Sequence, residues 1–450
     1  MFNFKEYLPF YRRNINLAVP VMITQAGQMV VQMADNIMVG HLGTTQFAGV
    51  SFANTIFVIG MAFCICFTQG LTPYAGQNFG SGNYKEVTKY FQNALVLNLI
   101  LSICVMTIMA LIMPFMEYMG QDPDILEYAR SYFKIMVVSV LPFMIFFTIR
   151  NFSEGIGITK YAMYITIGSN IINIILNWLL IFGKCGMPQM GVSGAALATL
   201  ISRIVMLAAF IVAIFTIKEY KRFTSLLEKN FIDKKKIKEL LGTSTPIAIQ
   251  GLIEVTAFSL SGIMVGWFGK IALAGHQIAM TMSTFSFMMA QGIGAATTIR
   301  VSHQLGEKDF TATRKAGFAA MHLSILFMGS AGLIFILFRN VIPYMFTTDP
   351  QVIEIAASLL IVCAVYQIFD ALQLTGLAAL RAMMDVKIPL LFSTLSYYFI
   401  CLPSGYLFGH TLNIGPLGVW LGLLFGLICA SILFLIRFDK TTKKLITNNR

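Results

Sequence analysis

The sequence predicts an all-α integral membrane protein with twelve transmembrane helices in two parallel six-helix repeats. Three observations carry that prediction: the composition, the placement of Lys and Arg, and one internal repeat. The 450-residue chain is 57% hydrophobic and 12% charged, about half the charged share of an ordinary soluble domain at roughly 25%. This balance excludes a disordered chain, a coiled coil and a disulfide scaffold, and leaves little room for a soluble globular protein. The apolar runs reach the ~20 residues that span a bilayer. They are continuously apolar rather than alternating with period two, which excludes a membrane β-barrel.

The runs lie near 15–39, 47–75, 92–116, 131–149, 161–183, 192–217, 243–265, 273–299, 317–341, 352–379, 388–409 and 414–436. Lys5, Arg12 and Arg13 precede the first, as in a signal peptide. That run continues past 20 residues without a small-residue cleavage site, so it reads as an uncleaved first span. The positive-inside rule assigns the sides. The termini and the loops after even-numbered spans hold 26 of the 32 Lys and Arg; the opposite loops hold only Lys184, Lys270 and Arg339. Both termini are therefore expected in the cytoplasm. The net charge of +12 follows from this topology, with some attraction to anionic lipid, and implies no nucleic-acid partner.

The repeat aligns Ile37–Thr55 with Ile263–Thr281 without a gap, at an offset of 226. It pairs Gly40 with Gly266, Gly43 with Gly269, Gly49 with Gly275, Pro20 with Pro246 and Gly80 with Gly306. Near an offset of 227, Asp122-Pro123 pairs with Asp349-Pro350. Chance apolar similarity would not keep Gly, Pro and Asp in step. Six spans per copy is an even number, so the copies share one orientation and are related by an axis along the membrane normal. The expected partition is an N-lobe over 1–217, a charged cytoplasmic linker over 218–240 and a C-lobe over 241–450. A site between such halves, reached alternately from each side, is the usual use of this symmetry.

Three acids fall well inside apolar runs: Asp35, Glu254 and Asp370. A charge near the bilayer centre costs about 2.5–3.5 kcal/mol on insertion scales. Each is either a neutral acid hydrogen-bonded between helices or part of a cation or proton site. Helical spacing surrounds them with oxygen-bearing side chains. Gln25, Gln28, Gln32 and Asp35 form one stripe; Gln250 and Glu254 are four apart; Tyr366, Asp370 and Gln373 share a face, as do Asn170, Asn173 and Asn177. Gln25, Gln28, Gln32, Asn173, Asn177, Gln250, Gln277 and Gln373 are the candidate cavity residues. Such oxygens suit hard cations, and desolvated carboxyls also carry protons. Pro20 and Pro246 permit matching kinks, static or hinge-like.

The 27 Met and 38 Phe suit helix packing or a cavity that accepts varied ligands. Six of the seven cysteines lie in apolar runs as small filler, and Cys185 sits in a short loop. No CxxC pair, Walker motif, HExxH or GxSxG occurs. Direct ATP drive and enzyme chemistry are therefore not indicated, and no cofactor is expected.

These residues together resemble the multidrug and toxic compound extrusion (MATE) transporters, most closely the NorM-like branch. The likeness runs over nearly the whole chain. It rests on "VPVMITQAGQMVVQMADNIMVG" with Pro20 and Asp35, on "TPIAIQGLIEVTAFSLSGIMVG" with Glu254, on Phe182–Thr199 and on Tyr366–Asp385. The resemblance implies a V-shaped two-lobe transporter, monomeric in the inner membrane, acting in antibiotic resistance. It implies export of cationic amphipathic compounds in exchange for Na⁺ or H⁺, with Glu254, Asp370 and Tyr366 as the C-lobe cation site and Asp35 as the N-lobe acid. Glu254 and Asp370 are the candidate Na⁺ ligands. Two departures stand out. Asn177 occupies the place where the DinF branch has an acid, and the "LRGxGDT" pattern reads Leu380-Arg381-Ala382-Met383-Met384-Asp385-Val386, without its second glycine or its threonine. A looser turn is expected there. A lipid-linked sugar flippase of the same superfamily is the rival reading; it would favour a cationic cavity, whereas the deep charges here are mainly acidic.

Overall fold

Capping residues mark where the helices begin. Asn83 and Asp309 each accept the backbone N–H three residues on, and Asp122 and Asp349 each accept the one two residues on. These are side-chain N-caps that satisfy amides left free by the first turn. In this computed structural model, residues 4–449 are described; Met1–Asn3 and Arg450, the last of the charges counted above, lie outside the described residues.

The first copy comprises α1 (Phe4–Gly40), α2 (Thr44–Thr68), α3 (Leu71–Gly80), α4 (Tyr84–Ile112), α5 (Pro123–Val138), α6 (Val140–Gly155), α7 (Lys160–Phe182) and α8 (Gly191–Thr216). A short α9 (Lys218–Thr224) leads to the second copy. That copy comprises α10 (Lys234–Gly266), α11 (Lys270–Gly306), α12 (Phe310–Leu337), α13 (Pro350–Ala382), α14 (Lys387–Thr394), α15 (Leu402–Tyr406) and α16 (Pro416–Asn448). The repeat holds at the level of the backbone. Gly43 and Gly269 both take positive φ, and so do Gly82 and Lys308, Gly157 and Met384, and Gly186 and Asn413, each pair at an offset of 226 or 227.

Among the described residues, ten helical stretches are long and apolar enough to cross a membrane, and the pair α5–α6 makes an eleventh. The remaining predicted span, 273–299, is part of the 37-residue α11. It is long enough, but Gly275, His276, Gln277, Ser283, Ser286, Gln291 and Gly292 dilute its apolar content.

The copies differ where one has a proline that the other lacks. α5 and α6 bend by 41° at Ser139, because Pro142 cannot donate to the Val138 carbonyl. Its counterpart is Phe369, and α13 runs unbroken through 33 residues. Conversely, Pro403 leaves the Phe399 carbonyl without its donor, and π-helical turns flank it at Leu395–Cys401 and Leu407–Thr411. α16 follows this distorted span closely: a Cβ on Gly422 would lie 2.4 Å from the Gly405 backbone. α1 and α10 remain helical through Pro20 and Pro246.

Contacts divide the chain into two compact units, one of residues 23–248 and one of residues 1–22 with 249–450. Both dividing points fall two residues after a repeat proline. In the 23–248 unit, Phe57 and Met61 of α2 pack with Phe133 and Met136 of α5. The stretch read as a linker is folded onto α4. Gln92 and Asn93 clamp its backbone at Glu228, Phe231 and Asp233 over 2.8–3.3 Å. Lys85 and Lys89 flank Glu228, and Lys236 pairs with Glu86. The Lys85 hydrogen bond holds the Glu228 carboxyl below its usual range, so this pairing is in place at neutral pH and is lost on acidification. In the other unit, Trp420, Leu423 and Leu427 of α16 pack with Leu359, Leu360 and Cys363 of α13.

The turn after α13 is as tight as its glycine-bearing counterpart. Asp385 N–H reaches the Leu380 carbonyl over 3.1 Å and Met384 takes φ 59°. The side chain is strained in the left-handed region, at about 1–2 kcal/mol. Met384→Gly is therefore expected to leave stability unchanged or raise it by up to ~1 kcal/mol. Gly157→Ala, at the matching φ of 82°, is expected to lower it by about 1–2 kcal/mol. Thermal unfolding of both variants in detergent checks the pair.

Candidate functional site

Each unit holds one cluster built around the intramembrane acids. In the 23–248 unit, Asp35 of α1 accepts a hydrogen bond from Asn177 Nδ2 of α7. The same amide nitrogen donates to Asn173 Oδ1 over 3.0 Å, and Asn173 Nδ2 donates to Ser202 Oγ of α8 over 3.1 Å. Both protons of the Asn177 amide are thereby used, while its own Oδ1 is buried without a donor. Arg203 lies within Coulombic reach of Asp35. It donates to Ser139 Oγ over 2.7 Å, at the break between α5 and α6, and lies 4.2 Å from the centre of the Phe143 ring. Arg203 is thus held by a hydroxyl and an aromatic face. One acid and one guanidinium leave this cluster balanced.

In the other unit, Glu254 of α10 and Asp370 of α13 are within Coulombic reach of each other. Gln373 Nε2 lies 3.3 Å and Tyr397 Oη 3.4 Å from Glu254 Oε1. Tyr397 also donates to Gln373 Oε1 over 2.8 Å. A phenol carries one proton, so here it faces two acceptors with a single donor. Asp370 is 2% exposed and Tyr366, one turn earlier, 3%. Arg381 is in reach of Glu254 and donates to Gln250 Oε1 over 3.2 Å; Gln250 Nε2 donates to Ser393 Oγ over 2.7 Å. With both acids ionised, two carboxylates against one guanidinium leave one negative charge in excess.

The structure therefore brings Glu254, Asp370, Tyr366 and Gln373 together, and separately Asp35, Asn173 and Asn177. Gln250 joins the first set through Arg381. Gln25 is buried on α1, Gln28 half-buried, and Gln32 and Gln277 exposed. An apolar groove lined by Ile15, Val19, Met22, Leu323, Leu326 and Phe327 contains none of the predicted cavity residues. His276 accepts from Trp420 Nε1 over 3.0 Å, a packing role. Tyr397, Arg381 and Arg203 escaped the sequence reading as parts of these clusters. Pro403, six residues after Tyr397, was the available signal: the π turn it induces sets the register of Tyr397.

The MatE family model matches residues 20–179 and again 246–407, so the family motif occurs once in each repeat. The chain belongs to the MatE family. It is 31% identical to the multidrug resistance protein NorM of Photobacterium profundum, over 95% of this chain and 94% of that one. It is 30% identical to the multidrug resistance protein MdtK of Yersinia pseudotuberculosis serotype O:1b, over 96% of each. The fold matches an outward-facing multidrug resistance MATE family transporter of the MOP superfamily with a TM-score of 0.90, at 20% identity over 97% of both chains. As a MatE protein the chain is a multi-pass membrane transporter and not an enzyme.

Tyr397→Phe removes one neutral donor shared by Glu254 and Gln373. Folding stability is expected to change by no more than about 1 kcal/mol, as read by thermal unfolding. Transport driven by a cation gradient is expected to fall by up to about tenfold, as measured in reconstituted vesicles.

Proposed function

We propose that the protein is a secondary active multidrug efflux antiporter, exporting cationic amphipathic compounds in exchange for Na⁺ or H⁺ by alternating access. The observation that carries this reading is the placement of two carboxyls, Glu254 and Asp370, against the single guanidinium of Arg381. A buried net charge is unfavourable until a cation or a proton neutralises it. Among the described residues no group of three His, Cys, Asp or Glu side chains converges. A bound Na⁺ would therefore take the two carboxylates with oxygens of Tyr366, Tyr397 or Gln373, which are hard ligands of the right kind. Neutralisation favours one conformation and bound drug the other, and this shared equilibrium couples the two flows. Each inward cation contributes about 2.3 kcal/mol per 100 mV, plus its gradient. The relatives' names, multidrug resistance proteins, support the substrate class.

The test is ethidium efflux from vesicles under imposed Na⁺ or H⁺ gradients, applied separately, for wild type and Glu254→Gln. Efflux driven by one gradient and lost in the variant is the expected result and names the ion. Efflux indifferent to both gradients, or untouched by Glu254→Gln, would overturn the antiporter and favour lipid flipping.

The same reading places a monomer in the plasma membrane with both termini in the cytoplasm. Cys185, exposed in the loop between α7 and α8, then faces outward. A membrane-impermeant maleimide is expected to label it on intact cells, and Cys185→Ser to abolish most of that labelling.

A further inference from the structure

The two copies differ sharply at one matched position. In the 23–248 unit, Tyr74 donates to the Glu239 carbonyl over 3.0 Å, sits 3.0 Å from Thr243 Oγ1 and stacks on Tyr90 at 4.6 Å between ring centroids. Tyr90 in turn donates to the Glu239 carboxylate. Each polar group in this set has a partner. At an offset of 226, Tyr74 becomes Arg300, Glu239 becomes Arg13 and Tyr90 becomes Ala316. A phenol and a carboxylate are thus replaced by two cations, and a stacked ring by a methyl group.

Arg300, on the last turns of α11, is 8% exposed. Its Nε and Nη2 are buried with no acceptor among the described residues. Arg13 of α1 is exposed and lies within Coulombic reach. Glu307 is also within reach, and it already accepts from Gln304 over 2.8 Å. The other cations on α12 are paired: Lys315 with Glu6 over 2.9 Å, and Arg314 with Asp439. Two guanidiniums against one carboxylate leave one positive charge, with buried N–H groups unmet. An orphaned guanidinium is among the most costly groups to bury. Its fork geometry matches a phosphate oxygen pair.

We propose that Arg300 and Arg13 form an anion site for a phosphate group. Arg300 supplies the buried fork and Arg13 the exposed entrance. The site lies on the Lys- and Arg-rich side of the chain, where the phosphodiester of an anionic lipid headgroup or a free phosphate could enter. It shares no residue with the acid clusters, so it stands or falls independently of the antiport reading.

The test is thermal unfolding of the purified full chain in neutral detergent, with phosphatidylglycerol, phosphatidylcholine or inorganic phosphate added at matched ionic strength. Wild type is expected to gain stability with phosphatidylglycerol and not with phosphatidylcholine. A gain with inorganic phosphate as well would identify the free anion as a source. Arg13→Gln is expected to weaken the anion's apparent affinity about tenfold. Arg300→Met is expected to abolish the gain while raising the midpoint without anion, because it removes a buried unpaired cation. Equal gains with both lipids and none with phosphate, or gains that persist in both variants, would overturn the site. If Arg300→Met does not fold, the exposed Arg13→Gln decides alone.

Discussion

Inside an apolar helix bundle a carboxylate has no water to fall back on, and its surroundings must supply what water would have. Asp35 receives the Asn177 amide and a guanidinium within reach. Glu254 receives Gln373, Tyr397 and Arg381, but Asp370 adds a second carboxyl against the same guanidinium. Local electroneutrality is the stricter condition, because Coulombic terms grow as the effective dielectric falls. The Asp35 cluster is matched in formal charge as it stands, one acid against one guanidinium. The proposed coupling centres on the other cluster, where a bound cation or a proton would offset the second carboxylate.

The duplicated frame makes such differences easy to see. Helix ends, caps and left-handed turn positions recur at offsets of 226–227, so the two copies share a backbone plan while their side chains diverge. Single prolines account for the largest departures. Pro142 bends one copy at Ser139, whose hydroxyl accepts from Arg203. Pro403 winds the other into π turns, which bring Tyr397 toward Glu254. In each copy a backbone irregularity thus sits beside an acid cluster. The same comparison exposes Arg300 and Arg13, where the matched Tyr74 donates to the Glu239 main-chain carbonyl and the Glu239 carboxylate accepts from Tyr90.

Much of this was legible in the sequence. Span lengths, the repeat and the three deep acids follow from hydropathy and residue identity, because the bilayer punishes each exception to apolarity. Helical spacing placed Tyr366, Asp370 and Gln373 on one face of α13, and α13 is unbroken, so that spacing holds. It gave no indication of Ser139 or Tyr397, which lie where prolines break the 3.6-residue period. The expected looser turn at Met384 did not appear: backbone hydrogen bonds hold it closed in spite of the strain.

What the sequence determined by itself was the class of molecule, its duplication and the identity of the buried charges, since each depends on local composition and periodicity. The tertiary structure decided which charges offset which. Arg203 with Asp35, Arg381 with Glu254 and Arg13 with Arg300 are separated by 127 to 287 residues along the chain. Charge balance in a low-dielectric interior is a property of distances between helices, and spacing within one helix carries no record of it.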